Sequence, residues 1–324
     1  MTRVILLLAG LALLVYLVAE LGPGEILAML GRIGWGFVPL AGLFAAHQAI
    51  RAVALRLCAV RSNAVRLTDA LAVRLSGEAV QFLTSTGPFL AEPSKAMLLG
   101  RRGLTTTEGF AATLAEYLSY TFVSAAMLAG AMVWMLATVE LPPALRRAAV
   151  ALLAVSLVFL AVAAVAIARR VYLLGGVVAR LGRAPVVGRR LRYEPGAVRR
   201  MEDLLLGILH ERPGRFLRVL LLETLAHAVL VAELWWILRL SGEPARALHV
   251  LVLESAGKFT TLAFFFVPGQ LGAMEGVNAV LFETLGYAAA AGVGVALARR
   301  IRSVLAAGAG LAALAWLTRR DGRS

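Results

Sequence analysis

The feature that most limits what this chain can fold into is a series of apolar runs close to bilayer length: Val4 to Ala19, Trp35 to Val60, Thr121 to Ala137, Ala148 to Ala168 and Phe216 to Leu240. A helix rises 1.5 Å per residue, so about 20 apolar residues cross a hydrocarbon layer of ~30 Å. A membrane barrel would show strict alternation instead. Apolar residues make up 60% of the 324, well above the roughly 45 to 50% of soluble domains. The expectation is an all-α polytopic membrane protein, a single transmembrane domain over 1-324.

The charge pattern orients it. The net charge of +14 comes from 33 basic residues, of which only Lys95 and Lys258 are lysine. The arginines fall mostly between the apolar runs, which is the positive-inside signature of a membrane protein, so no nucleic-acid partner is expected. Between Arg169 and Arg218 twelve arginines face Glu194, Glu202, Asp203 and Glu211. This places the loop 169-215 in the cytoplasm, with attraction to anionic lipid headgroups. A helix beginning near Pro195, with Val198, Met201, Leu205 and Ile208 on one face, is expected to anchor at the interface. The first run lacks a small-x-small cleavage pattern and reads as a retained anchor. A surface helix with Ile26, Leu27, Leu30 and Ile33 follows it.

Two segments are too short or too broken to span. In residues 68 to 102 a helix to Leu83 is interrupted by Thr84-Ser85-Thr86-Gly87-Pro88, and a second helix runs from Pro93 to Arg101. Both ends are basic, so the segment reads as a re-entrant hairpin from the cytoplasmic side. Residues 247 to 285 form a similar pattern around Phe264 to Gly272, and reading them as an outside hairpin puts Arg319, Arg320 and Arg323 inside. Treating Leu248 to Val267 as a full span would leave that tail outside, so the hairpin is preferred. The result is about six full spans plus two re-entrant helical hairpins in an inverted repeat, with halves at 1-137 and 148-318. Gly77 precedes Pro88 by eleven residues and Gly257 precedes Pro268 by eleven.

Ionisable groups at membrane depth cost at least ~2.5 to 3.5 kcal/mol each, so they need a partner, a wet cavity or a task. The candidates are Glu78, Glu92, Lys95, Glu116, Glu254, Lys258, Glu275, Arg299, Arg300 and Arg302. Gly77, Pro88, Pro93, Pro268, Gly269 and Gly272 are candidate structural hairpin-tip residues. Glu92-Pro93-Ser94 has the form of a helix start, and with the start after Gly272 it would aim two positive helix ends at the midplane. The constellation suits a membrane lipid substrate with a phosphate headgroup. Two plainer readings compete: the charges only pair with one another, or Arg299 to Arg302 mark a break between two half-length helices. Four histidines lack ligand spacing and Cys58 is the only cysteine, so no metal and no cofactor are expected.

Gly77-Glu78, Pro88 with Ala91-Glu92-Pro93-Ser94-Lys95-Ala96, Glu116, and Pro268-Gly269-Gln270-Leu271-Gly272-Ala273-Met274-Glu275 resemble the signature of the lysylphosphatidylglycerol synthase transmembrane, or flippase-like, family. The resemblance implies a multi-pass inner-membrane protein that moves or handles lipids. It departs at Ala91 and Gln270, where the family usually has glycine, and at the residues after Glu116. The stretch from Phe266 to Gly276 is also similar to a hopanoid-associated branch. Function is therefore expected to be lipid translocation through a midplane charged site, with an anionic phospholipid or an isoprenoid or hopanoid-type cargo. The alternatives are a non-transporting scaffold for lipid-modifying enzymes or, less favoured, the membrane part of an aminoacyl-phosphatidylglycerol synthase. Synthase activity is not expected, because the sequence ends at Ser324 directly after its last helix. The sequence leaves the oligomeric state open.

Overall fold

The computed structural model describes residues 23–84, 88–172, 195–211, 213–264, 267 and 270–321, and all its regular elements are helical. The expected first span, the Ser85-Thr86-Gly87 break, Pro268, Gly269, most of the arginine-rich loop and Arg323 lie outside the described residues. In order, the helices are α1 (Pro23–Ile33), α2 (Phe37–Cys58), α3 (Leu67–Thr84), α4 (Pro88–Gly100), α5 (Thr106–Thr138) and α6 (Pro143–Ala168). After the loop come α7 (Pro195–Leu206), α8 (Pro213–Ser241), α9 (Ala247–Ala263), α10 (Ala273–Thr284) and α11 (Ala289–Asp321).

Local chemistry explains these boundaries. Helices α1, α4, α6, α7 and α8 open on proline, whose missing N–H is no loss at a helix start. Helix α5 opens on a capping box: Thr105 and Glu108 each accept from the other's backbone N–H, and Glu108 also binds Arg61 at 3.0 Å. Helices α8 and α10 end near Gly242 and Gly286, with φ of 86° and 80°. There the N–H groups of Glu243 and Tyr287 reach back to Leu238 and Phe282.

Among the described residues four helices are long and apolar enough to cross a membrane: Gly31–Cys58, Thr106–Thr138, Pro143–Ala168 and Ala289–Arg319. The chain is an all-α, multi-pass membrane protein. Helix α8 has 29 residues but carries Glu223, His227 and Glu233 at its centre, all with their surface fully buried inside the protein.

Three expectations need correction. The second hairpin helix starts at Pro88, so Pro93 lies one turn inside α4 rather than at its first position. Such a proline forfeits one backbone hydrogen bond, a loss that neighbouring helices in a membrane bundle absorb. Helix α11 is continuous through Arg299 to Arg302, so there is no break at the arginines. Helix α7 buries Leu205 in a core cluster with Ile208 of the following π turn, so its apolar face docks on protein. At its edge Tyr172 donates to Asp203 at 2.6 Å, and that bond raises the phenol above its ordinary pKa.

The packing has a regular plan. Helix α4 lies on α5 as α10 lies on α11, α3 on α11 as α9 on α5, and α2 on α3 as α8 on α9; α2 packs directly on α8. The amphipathic α1 touches α11, and the amphipathic α7 touches α5. Two apolar clusters occupy opposite ends of the bundle. One joins the start of α2 (Leu40) and the end of α5 (Met132) to the end of α8 (Ile237) and the start of α11 (Val295). The other joins the end of α2 (Leu55) and the start of α5 (Ala112) to the start of α8 (Val219) and the end of α11 (Leu317). Helices α2 and α8 therefore run antiparallel, as do α5 and α11, and the middle of every long helix is left between two cores.

Candidate functional site

That middle layer is where the charges are. Seven cations (Arg51, Arg74, Lys95, Lys258, Arg299, Arg300, Arg302) interlock with seven carboxylates (Glu78, Glu92, Glu116, Glu223, Glu233, Glu254, Glu275). A cavity of about 600 Å³ opens among them, within the range of small-molecule and cofactor sites.

In the first cell the centre is Glu116 of α5, fully buried. It accepts from Arg51 of α2 at 2.7 Å and from Arg74 of α3 at 2.7 Å, with Lys95 of α4 at 3.8 Å. Arg74 also holds Gln48 and Glu78, Lys95 holds Glu92 at 2.7 Å, and Arg51 lies 3.3 Å from Glu223. Gly77 is required here: a side chain at that position would run into the Lys95 stem.

In the second cell the centre is a guanidinium, Arg299 of α11. It donates to Glu254 of α9 at 2.6 Å and lies 3.7 Å from Glu233 of α8. Lys258 holds Glu254 at 3.1 Å, Arg302 holds Glu233, and Arg300 holds Glu275 of α10 at 2.6 Å. Gly272 sits at the start of α10 with φ 76°. The two cells meet at Tyr120: Arg51 stacks 3.6 Å above its ring, and its hydroxyl accepts from Lys258 at 2.7 Å. His227 stacks on the same ring at 4.3 Å and bonds Ser124 at 2.6 Å.

Four positions of the first cell recur in the second with the sign of the charge exchanged. Arg74 and Glu78 stand on α3 where Glu254 and Lys258 stand on α9, each 180 residues later. By the same offset Lys95 corresponds to Glu275. Glu116 corresponds to Arg299 by an offset of 183, the one that also relates Gly109 to Gly292. Those glycines are the fourth residues of α5 and α11, and a Cβ on either would strike the backbone of Ala96 or Asn278. Helices α4 and α10 thus approach their long neighbours equally closely.

Every ionisable sequence candidate falls in this layer, at different depths. All seven cations line the cavity, but of the carboxylates only Glu78, Glu92 and Glu254 do. Glu116 and Glu275 stand behind the cations and set their positions, together with Glu223 and Glu233. Arg51, Arg74, Tyr120, Glu223 and Glu233 were not among the sequence candidates. The rule that flags ionisable groups at membrane depth applies equally to α8, whose two glutamates fall inside the run Phe216 to Leu240. Away from the charges the wall is apolar and aromatic, with Phe44, Phe82, Phe89, Phe159 and Phe259. Among the described residues no three His, Cys, Asp or Glu side chains are grouped to hold a metal ion.

The family model described as Lysylphosphatidylglycerol synthase TM region matches residues 3–310. It covers both cells and both short helix pairs. No curated protein matches the chain, and no solved structure does.

Proposed function

We propose that this chain, which belongs to the lysylphosphatidylglycerol synthase transmembrane-region family, translocates a phosphate-bearing lipid between leaflets of the inner membrane. The observation that carries this reading is the layering of charge. All seven cations line the cavity, those of the second cell most openly, while four of the seven carboxylates stand behind them. A purely structural network would need no cavity and no outward-facing cations. Guanidinium and ammonium groups in a low-dielectric pocket bind phosphate oxygens strongly, and the aromatic wall gives acyl or isoprenoid chains an apolar path.

The exchanged packing of α2–α5 and α8–α11 supports two inverted halves, an arrangement suited to opening one midplane site alternately to either leaflet. Helix α6 supports lateral entry: it contributes Val155, Ser156 and Phe159 to the cavity, and its principal contact is α5. The arginine-rich loop would hold anionic headgroups at the cytoplasmic surface.

The test uses proteoliposomes containing acyl-labelled phosphatidylglycerol or phosphatidylethanolamine, with an external quencher reporting the outer-leaflet fraction. Wild-type protein is expected to accelerate leaflet exchange of at least one of them, and Arg300→Gln to slow it at least about tenfold, the value of one lost charge-assisted hydrogen bond. Exchange no faster than in protein-free vesicles, or unchanged by Arg300→Gln, would overturn the reading.

A further inference from the structure

The charges that reach the cavity surface are sorted by sign. In the first cell Glu78 and Glu92 keep 29% and 17% of their side-chain surface exposed, against 8%, 2% and 5% for Arg51, Arg74 and Lys95. The second cell is reversed: Lys258, Arg299, Arg300 and Arg302 keep 14 to 23%, whereas Glu233, Glu254 and Glu275 keep 3% or less. The cavity therefore has one carboxylate wall and one cationic wall, with Glu78 and Lys258 at corresponding positions on the two. Polar atoms without a hydrogen-bond partner occur on both sides of the cavity: Glu92 Oε2, Gln48 Nε2 and Arg51 Nε on the first, and Ser255 Oγ, Arg299 Nε and Arg302 Nε on the second.

Among the described residues the charges of the network also balance, seven cations against seven carboxylates. A monoanionic headgroup would add an uncompensated charge to this buried network, and uncompensated buried charge is costly. A headgroup that carries its own cation adds none. Tyr120 joins the two cells, since Arg51 covers its ring and Lys258 holds its hydroxyl. A phosphate and an amine on one headgroup can then meet both walls of the single cavity that Glu78, Glu92, Lys258, Arg300 and Arg302 line.

We infer that the cavity selects a dipolar lipid headgroup, with its phosphate seated on Lys258, Arg300 and Arg302 and its ammonium on Glu78 and Glu92. This rests on the translocation reading for the presence of a lipid, but it concerns which headgroup fits.

The test is a binding competition that does not depend on transport. The protein is equilibrated in detergent with equal amounts of phosphatidylethanolamine and phosphatidylglycerol of the same acyl chains, and retained lipid is counted by native mass spectrometry. Wild type is expected to retain phosphatidylethanolamine at least about tenfold over phosphatidylglycerol, the value of one charge-assisted bond to the amine. The double variant Glu78→Gln/Glu92→Gln should bring the ratio close to one, and Arg300→Gln should reduce retention of both. Equal or greater retention of phosphatidylglycerol by wild type overturns the inference, as does a preference that survives in the double variant, or no retention of either lipid. Leaflet exchange that persists despite such a result would leave the translocation reading standing, while a preference without leaflet exchange would do the opposite.

Discussion

Replacing Glu116 by glutamine should destabilise this protein more than any other single carboxylate-to-amide change at the site. The carboxylate is fully buried, takes 2.7 Å bonds from Arg51 and Arg74, and has Lys95 at 3.8 Å. Glutamine keeps one acceptor oxygen but turns an NH2 group toward the cations and removes the charge on which all three converge. Breaking a buried pair on one side costs about 3 to 5 kcal/mol. A domain of this size loses roughly 2 to 4 °C of melting temperature per kcal/mol, so the expected drop is on the order of 10 °C. Glu78→Gln is the matched control: its carboxylate is part-exposed and 3.4 Å from Arg74, so it should cost less than about 1 kcal/mol. Tryptophan-fluorescence melts in lipid nanodiscs, all scanned at one rate so that irreversible unfolding affects them equally, would report both. A Glu116→Gln melt within about 2 °C of wild type, or a larger drop for Glu78→Gln, would refute Glu116 as the centre of the first cell.

Two further outcomes follow from packing. Gly109→Ala and Gly292→Ala should each cost about 1 to 3 kcal/mol, because the new methyl meets backbone; Gly257→Ala, with open space around it, should not destabilise, and equal melts for all three would contradict the paired crossings. Gln270 has φ 52°, a conformation that costs most residues roughly 1 to 2 kcal/mol. Gln270→Gly should relieve that strain less the lost bond to Thr261, so it is expected to leave the melt unchanged or raise it by a few degrees, and a clear drop would contradict the reading.

Much of this was legible in the sequence because the bilayer imposes simple rules. Length and hydropathy located α2, α6, α8 and the second half of α5, and proline and glycine located the two short helix pairs. The departure at Gln270 was visible as a missing glycine, and the structure shows a positive φ there, the conformation that glycine adopts without strain. The depth of each charge was not legible. Glu78 and Glu116 look alike in a string of letters, yet one lines the cavity and the other stands behind it, because depth depends on which helices cross at that level. The sign exchange between halves also stayed hidden. A search for similarity scores Arg74 against Glu254 as a mismatch, while the physics of a paired network treats them as equivalent positions of opposite charge. Pro93 misled because a proline that can start a helix is, within a supported membrane bundle, also tolerated one turn inside.

The sparing use of lysine makes the decisive measurement clean. With only Lys95 and Lys258 in the chain, protein labelled with 15N at lysine Nζ and reconstituted in phosphatidylethanolamine bilayers gives two amine signals. Their proximity to lipid phosphorus can be read by 31P–15N dipolar dephasing in solid-state NMR. A lipid headgroup held in the cavity predicts strong dephasing of Lys258, at the cationic wall, and little of Lys95, which is buried between Glu92 and Glu116. Two undephased signals, or dephasing of Lys95 alone, would contradict it.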